Sequence, residues 1–143
     1  DYFVSVRPDV ALIFPVTPED DVIFVRQYRH GVGSILLELP GGTFDPAQES
    51  AEAAAQRELR EETGYVAQHI VRLATIHDNP NKDTNRIHLF RAEPVTAQGS
   101  QRLDDTETID IVKAPKSVIP RMIRSGQICV AGTIALCFLA LER

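Results

Sequence analysis

No run of about 18 apolar residues, the length a membrane-crossing helix needs, occurs in the chain. No membrane-spanning helix and no membrane partner are therefore expected. The most apolar stretch, "ICVAGTIALCFLALE", is short enough for a buried helix. Positive charge is also scarce: 15 Lys and Arg stand against 20 Asp and Glu, a net charge of -5. That excludes nucleic acid as the main partner, because such binding rests on Lys and Arg. It leaves room for a small anionic substrate, since a metal can supply local positive charge. Residues 1–15 hold no basic segment followed by an apolar run and a small-residue cleavage site, so no signal peptide is expected. Of cysteines there are two, Cys129 and Cys137. On the helix predicted for the tail they would lie about 12 Å apart, beyond disulfide reach. Buried, reduced thiols in a cytoplasmic protein are the expectation. Neither an internal repeat nor a low-complexity segment is present.

What is there fits one domain, residues 1–143, large enough to bury a core. Hydrophobic residues at 43% and charged residues at 24% are ordinary for a globular protein. The chain opens directly on strand-like residues, which leaves open whether a segment precedes them. "DVALIFPV" (Asp9 to Val16) and "DVIFVRQY" (Asp21 to Tyr28) are rich in β-branched and aromatic residues, and with the turn material "TPED" between them they read as a hairpin. "SILLELP" is a short strand stopped by Pro40 and a tight Gly41-Gly42 turn.

The clearest helix follows, with Ser50 as N-cap, "AEAAAQRELREE" as strong helix formers and Gly64 as the left-handed C-terminal cap. "YVAQHIVRLATIH", "RIHLFRAEP" and "ETIDIVKA" read as strands. "PKSVIPRMIRSG" reads as a helix with Pro115 in its first turn and Gly126 closing it, and "VAGTIALCFLALER" reads as the last helix. The pattern is α/β with a mixed sheet, not a regular strand-helix alternation.

Three acids crowd the end of the first helix. At about 100° per residue, Glu58 and Glu62 point within about 40° of each other, with Glu61 to one side. Ala51, Ala55 and Leu59 share nearly the same sector, so the acids border the core-facing stripe. Each like-charge pair one turn apart costs a helix roughly 0.2–0.5 kcal/mol. Arg57 can hold Glu61, which leaves Glu58 and Glu62 without an obvious cation. A solvated acidic helix end would place its acids opposite the apolar stripe with bases interleaved. A divalent cation offsets the repulsion directly, and Mg2+ prefers a few carboxylates plus waters and substrate phosphates.

"GGTFDPAQESAEAAAQRELREETGY" resembles the Nudix box, the loop-helix-loop signature of hydrolases that split nucleoside diphosphates linked to another group. From Glu49 the fit is close: seven residues to Arg57-Glu58, then Leu59, Glu61, Glu62 and Gly64. Six residues, where the family pattern has five, separate Gly42 from Glu49, and Tyr65 stands in place of an aliphatic residue. The resemblance implies a Nudix-type α/β/α sandwich. It implies metal ligation by Glu58 and Glu62 and by the Gly41 carbonyl, with Glu61 either a third ligand or the partner of Arg57. Arg57 would orient Glu61, and the bare backbone of Gly41 and Gly42 would let metal and pyrophosphate approach closely.

The flanking "VRQYRHG…LLELPGG" is similar to ADP-ribose and nucleoside diphosphate sugar pyrophosphatases of the same family. By that similarity Arg29 would contact the substrate diphosphate, its alternative being a surface strand cation. Glu38 would be either a site-edge residue or the partner of a nearby arginine. Pro80 falls near a proline of the ADP-ribose branch, and Glu107 is the best match to a loop glutamate that assists catalysis. His30, His77 and His88 remain structural or rim residues.

The implied activity is Mg2+-dependent hydrolysis of ADP-ribose or a related nucleoside diphosphate sugar by a homodimer, with Mn2+ able to substitute. Glu107 or a helix acid, Glu61 or Glu62, would be the general base. The alternatives are a GDP-mannose-type hydrolase and a non-catalytic Nudix ligand sensor.

Overall fold

The computed structural model describes residues 1–142. Among the described residues, nine strands and three α-helices follow one another as β1 (Asp9–Pro15), β2 (Asp21–Arg29), β3 (Ser34–Glu38), β4 (Gly41–Phe44), α1 (Ala51–Thr63), β5 (Tyr65–Ala67), β6 (Ile70–Ile76), β7 (Ile87–Ala92), β8 (Val95–Ala97), β9 (Ile109–Pro115), α2 (Ile119–Arg124) and α3 (Ala131–Leu141). A mixed four-stranded sheet runs β4-β1-β7-β6, in which only β1 and β7 are parallel. A second sheet runs β3-β2-β9, and β5 pairs with β8.

Strand alternation puts successive side chains on opposite faces, and both larger sheets use this to serve two cores. On one face of β1, Ala11 and Ile13 join Ile23, Phe90 and the α1 residues Ala51, Ala54, Ala55 and Leu59. On the other, Phe14 joins Phe24, Leu89, Ile119 from α2, and Leu136 and Cys137 from α3. Helices therefore cover both sides of the strands, giving the expected α/β/α sandwich. Among the described residues, no helix is long and apolar enough to cross a membrane.

The helix caps agree with the sequence reading. Ser50 accepts from the Ala53 N–H, and Gly64 is left-handed at φ 74° with its N–H bonded to Arg60 O. Five other readings are corrected. β1 and β2 do not form a hairpin. Their only ladder contact is the Val16–Val22 bridge just past β1, because β4 and β7 occupy both edges of β1 while β3 and β9 occupy those of β2. Gly41 and Gly42 are no tight turn but the start of β4, paired with Leu12 and Ala11 of β1. The stretch after Gly64 divides into β5 and β6, which belong to different sheets.

Pro115 ends β9 and does not begin a helix. After a 3-10 turn, Pro120 takes the first turn of α2, where a missing N–H breaks no helical bond. Cys129 lies before α3 and is exposed, whereas Cys137 is buried and its thiol is pushed up to about 12 by that burial.

His88 is a structural histidine, as expected. Its Nε2 lies 2.9 Å from Asp9 Oδ2, and its Nδ1 lies 3.3 Å from both Arg72 Nη1 and Thr75 Oγ1. A carboxylate only accepts and a guanidinium only donates, so the partners assign the neutral tautomer with its proton on Nε2.

Candidate active site

β4 runs beside α1, and between them opens a cleft of about 600 Å³. Its walls come from β2 and β3 (Gln27, Arg29, Glu38), β4 (Gly41, Gly42), α1 (Arg57, Glu58, Glu61, Glu62) and the segment before β9 (Arg102, Asp104, Glu107). All of the site residues expected from the sequence, drawn from distant parts of the chain, thus line one cavity.

The acids of α1 continue its buried stripe instead of facing away from it. Glu62 is only 7% exposed, and Glu58 and Glu61 are half-buried. Glu62 Oε2 accepts the Gly41 N–H at 3.0 Å. Burial pushes the Glu62 carboxyl up to about 8. Glu58 and Glu107 push the same way, against the Gly41 N–H and Arg29. Burial also raises Glu58, opposed by Arg57. Glu107 lines the same cleft, close enough to act on Glu58, Glu62 and Arg29.

Arg57 does more than orient Glu61. Its guanidinium bonds Glu49 at 2.7 Å, Glu58 at 2.9 Å and Glu61 at 3.2 Å. The expectation that Glu58 has no cation is therefore corrected, and Glu49 gains a defined partner. The hold of Glu49 in turn raises the Arg57 pKa, keeping its charge fixed. Arg29 is gripped by Glu38 through two bonds, 2.6 Å from Nε and 3.1 Å from Nη2. Such a fork fixes the guanidinium plane. Glu38 is thus both the arginine partner and a wall of the cleft.

Among the described residues, no three carboxylate, imidazole or thiol groups already converge as a metal cluster. Glu58 and Glu61 lean to Arg57, and Glu62 leans to Gly41. The residues nonetheless fit a hard divalent cation. The donors are oxygens, the carboxyls of Glu58 and Glu62 are raised by burial and by neighbouring acids, and the space between β4 and α1 is held open by glycine. A Cβ on Gly42 would sit 2.6 Å from the Glu58 carboxylate, and one on Gly41 would collide with Ala11 O. Neither glycine has a positive φ, so close approach, not backbone freedom, explains both.

The sequence reading did not single out Arg102 or Gln101. Arg102 lines the cleft and, among the described residues, makes no ion pair. Its signal was a lone cation in "SQRLDDTE". Gln101 bonds two backbone carbonyls next to the cleft and carries no sequence signal at all. Pro80 has no place in the cleft walls.

A family model described as NUDIX domain matches residues 6–123. An ADP-ribose pyrophosphatase of Bacillus subtilis is 28% identical over 128 residues, covering 89% of this chain and 69% of that protein. A GDP-mannose pyrophosphatase of Yersinia enterocolitica is 30% identical over 130 residues, covering 83% of this chain and 65% of that protein. The crystal structure of an ADP compounds hydrolase matches with a TM-score of 0.84 at 25% identity, over 94% of this chain and 71% of that one. The chain spans about two thirds of the length of these two relatives.

Proposed function

The chain belongs to the NUDIX family of hydrolases, and from that premise we propose that it hydrolyses the diphosphate linkage of ADP-ribose or a related nucleoside diphosphate sugar. The products would be a nucleoside monophosphate and a sugar phosphate. The observation that carries this reading is the convergence of Glu58, Glu61, Glu62, Glu107 and Arg29 on one cleft beside the Gly41-Gly42 strand.

Glu58, Glu62 and the Gly41 carbonyl would hold Mg2+ or Mn2+, with Glu61 either a further ligand or the carboxylate that Arg57 orients. When bound, such an ion polarises a phosphoryl group and lowers the pKa of a coordinated water. The chain's own groups do the rest. Arg29, its plane fixed by Glu38, presents its remaining N–H donors to phosphoryl oxygens and stabilises charge that develops there. Glu107 accepts the proton of the attacking water. Arg57 holds Glu58 and Glu61 through one guanidinium nitrogen and offsets their mutual repulsion.

The GDP-mannose reading is favoured by the Yersinia enterocolitica relative and differs only in base and sugar. A ligand sensor is disfavoured by the retained acids. The homodimer expected from the sequence has support in apolar side chains left in water, Tyr2, Phe3 and Val6 in the N-terminal arm and Tyr28, Val32 and Ile35 around the β2–β3 connection.

A substrate panel tests the reading. ADP-ribose, NADH, GDP-mannose, UDP-glucose and a diadenosine polyphosphate are incubated with the protein and Mg2+, and released phosphate ester is measured. Turnover of a nucleoside diphosphate sugar is expected. Binding of any member without turnover would make the chain a sensor.

A further inference from the structure

Residues 98–108 cross the C-terminal end of α1, where the last helical carbonyls have no intrahelical donor. The crossing is close: a Cβ on Gly64 would collide with Gly99 O. Gln98 N–H donates to Gly64 O at 2.9 Å, and Arg102 N–H donates to Glu61 O at 2.7 Å. Between these, the side chain of Gln101 turns inward. Its Nε2 donates to Glu62 O at 2.7 Å and to Ile109 O at 2.9 Å. A primary amide has two N–H donors, and here one goes to the residue that bears the most buried acid of α1 and the other to the first residue of β9.

The loop bounded by these bonds, residues 102–108, has no strand or helix of its own. Within it, Glu107 N–H donates to Asp104 O at 2.9 Å, and Asp104 N–H donates to Glu107 Oε2 at 3.2 Å. Those contacts fix the shape of the turn but not its place over the cleft. The place is set where the loop leaves α1 and where it enters β9, and Gln101 touches both.

We propose that Gln101 is a positioning residue that holds Glu107 over the acids of α1 by pinning both ends of its loop. The proposal rests on the reading of Glu107 as a proton acceptor in hydrolysis. Misplacement of a reacting group by about 1 Å can cost 10²-fold in rate, so loss of the two bonds should reach kcat without touching the groups that bind substrate.

The test is a double-mutant cycle. Gln101→Met, nearly the same shape without donors, is expected to lower kcat about 10–100-fold and leave KM within about twofold. Gln101→Asn, too short to span both carbonyls, should behave likewise. In a Glu107→Gln background, Gln101→Met should then cause no further loss, because the group it positions is gone. Unchanged kcat in both single variants, or losses that multiply in the double variant, would overturn the proposal.

Amide hydrogen exchange gives a readout that needs no turnover. Gln101→Met should speed exchange at Arg102 and Glu107 while α3 keeps its protection. Unaltered exchange at those two amides would sink the inference even if the substrate panel succeeds. If the panel fails for the wild-type protein, the hydrolase reading falls while exchange still decides whether Gln101 pins the loop.

Discussion

The Gly41 N–H donates to Glu62 Oε2 across 3.0 Å, joining the strand that lines the cleft to the last turn of α1. That bond favours the charged carboxylate, but burial and two neighbouring acids outweigh it and push the carboxyl up to about 8. A site designed for stability alone would not keep an acid there.

An unfolded glutamate titrates near 4.5, while the folded Glu62 titrates near 8. Between those values the folded chain binds the extra proton, so this group's contribution to stability falls as pH rises through the window. A tenfold change in proton affinity is worth about 1.4 kcal/mol. Metal-free Glu62→Gln is expected to be about 2–4 kcal/mol more stable than wild type above pH 8. The gap should close near pH 4.5, as read by urea denaturation across that range.

The two glycines of β4 should separate fold from function. Ala at Gly41 meets the backbone of Ala11, which cannot yield, and a loss of about 2–4 kcal/mol is expected. The nearest atoms that Ala at Gly42 meets are the movable end of Glu58. Its effect on stability should stay under about 1 kcal/mol, while hydrolysis falls about 100-fold as the carboxylate is displaced. Thermal melts and initial rates on the two variants check the contrast.

Arg57→Lys keeps the charge but not the fork that reaches Glu49, Glu58 and Glu61 together. A fall in kcat of about 10-fold or more with little change in melting temperature is expected. An equal loss of stability and rate would instead make Arg57 a brace for the helix.

Arg29→Ala should raise KM and lower kcat, and Glu38→Ala should do both more weakly by releasing the Arg29 fork. Steady-state kinetics on the two variants decide whether Arg29 meets the substrate.

The part of this picture legible in the sequence is the part made of local choices. Ser50, the alanine-rich run and Gly64 set α1 by propensity and capping, and the spacing of Glu58 and Glu62 follows from helix geometry alone. Pairing between distant strands was not legible. "TPED" does turn the chain, but the competition of β4 and β7 for β1 sends the two flanking strands into different sheets. Gly41 and Gly42 looked like a turn because glycine marks both a turn and a close approach, and only the Ala11 carbonyl and the Glu58 carboxylate distinguish the two. Gln101 was invisible for a plainer reason: its partners are backbone carbonyls, one of them 39 residues away.

The claim on which the rest depends is that Glu58 and Glu62 together grip a divalent ion. Titration of Mn2+ into the protein, followed by the loss of its free-ion electron paramagnetic resonance signal, tests this most directly. The wild-type chain should take up Mn2+, and Glu62→Gln, still folded, should take up far less. Equal uptake by the two proteins, or none by the wild type even with a diphosphate ligand present, would contradict the account.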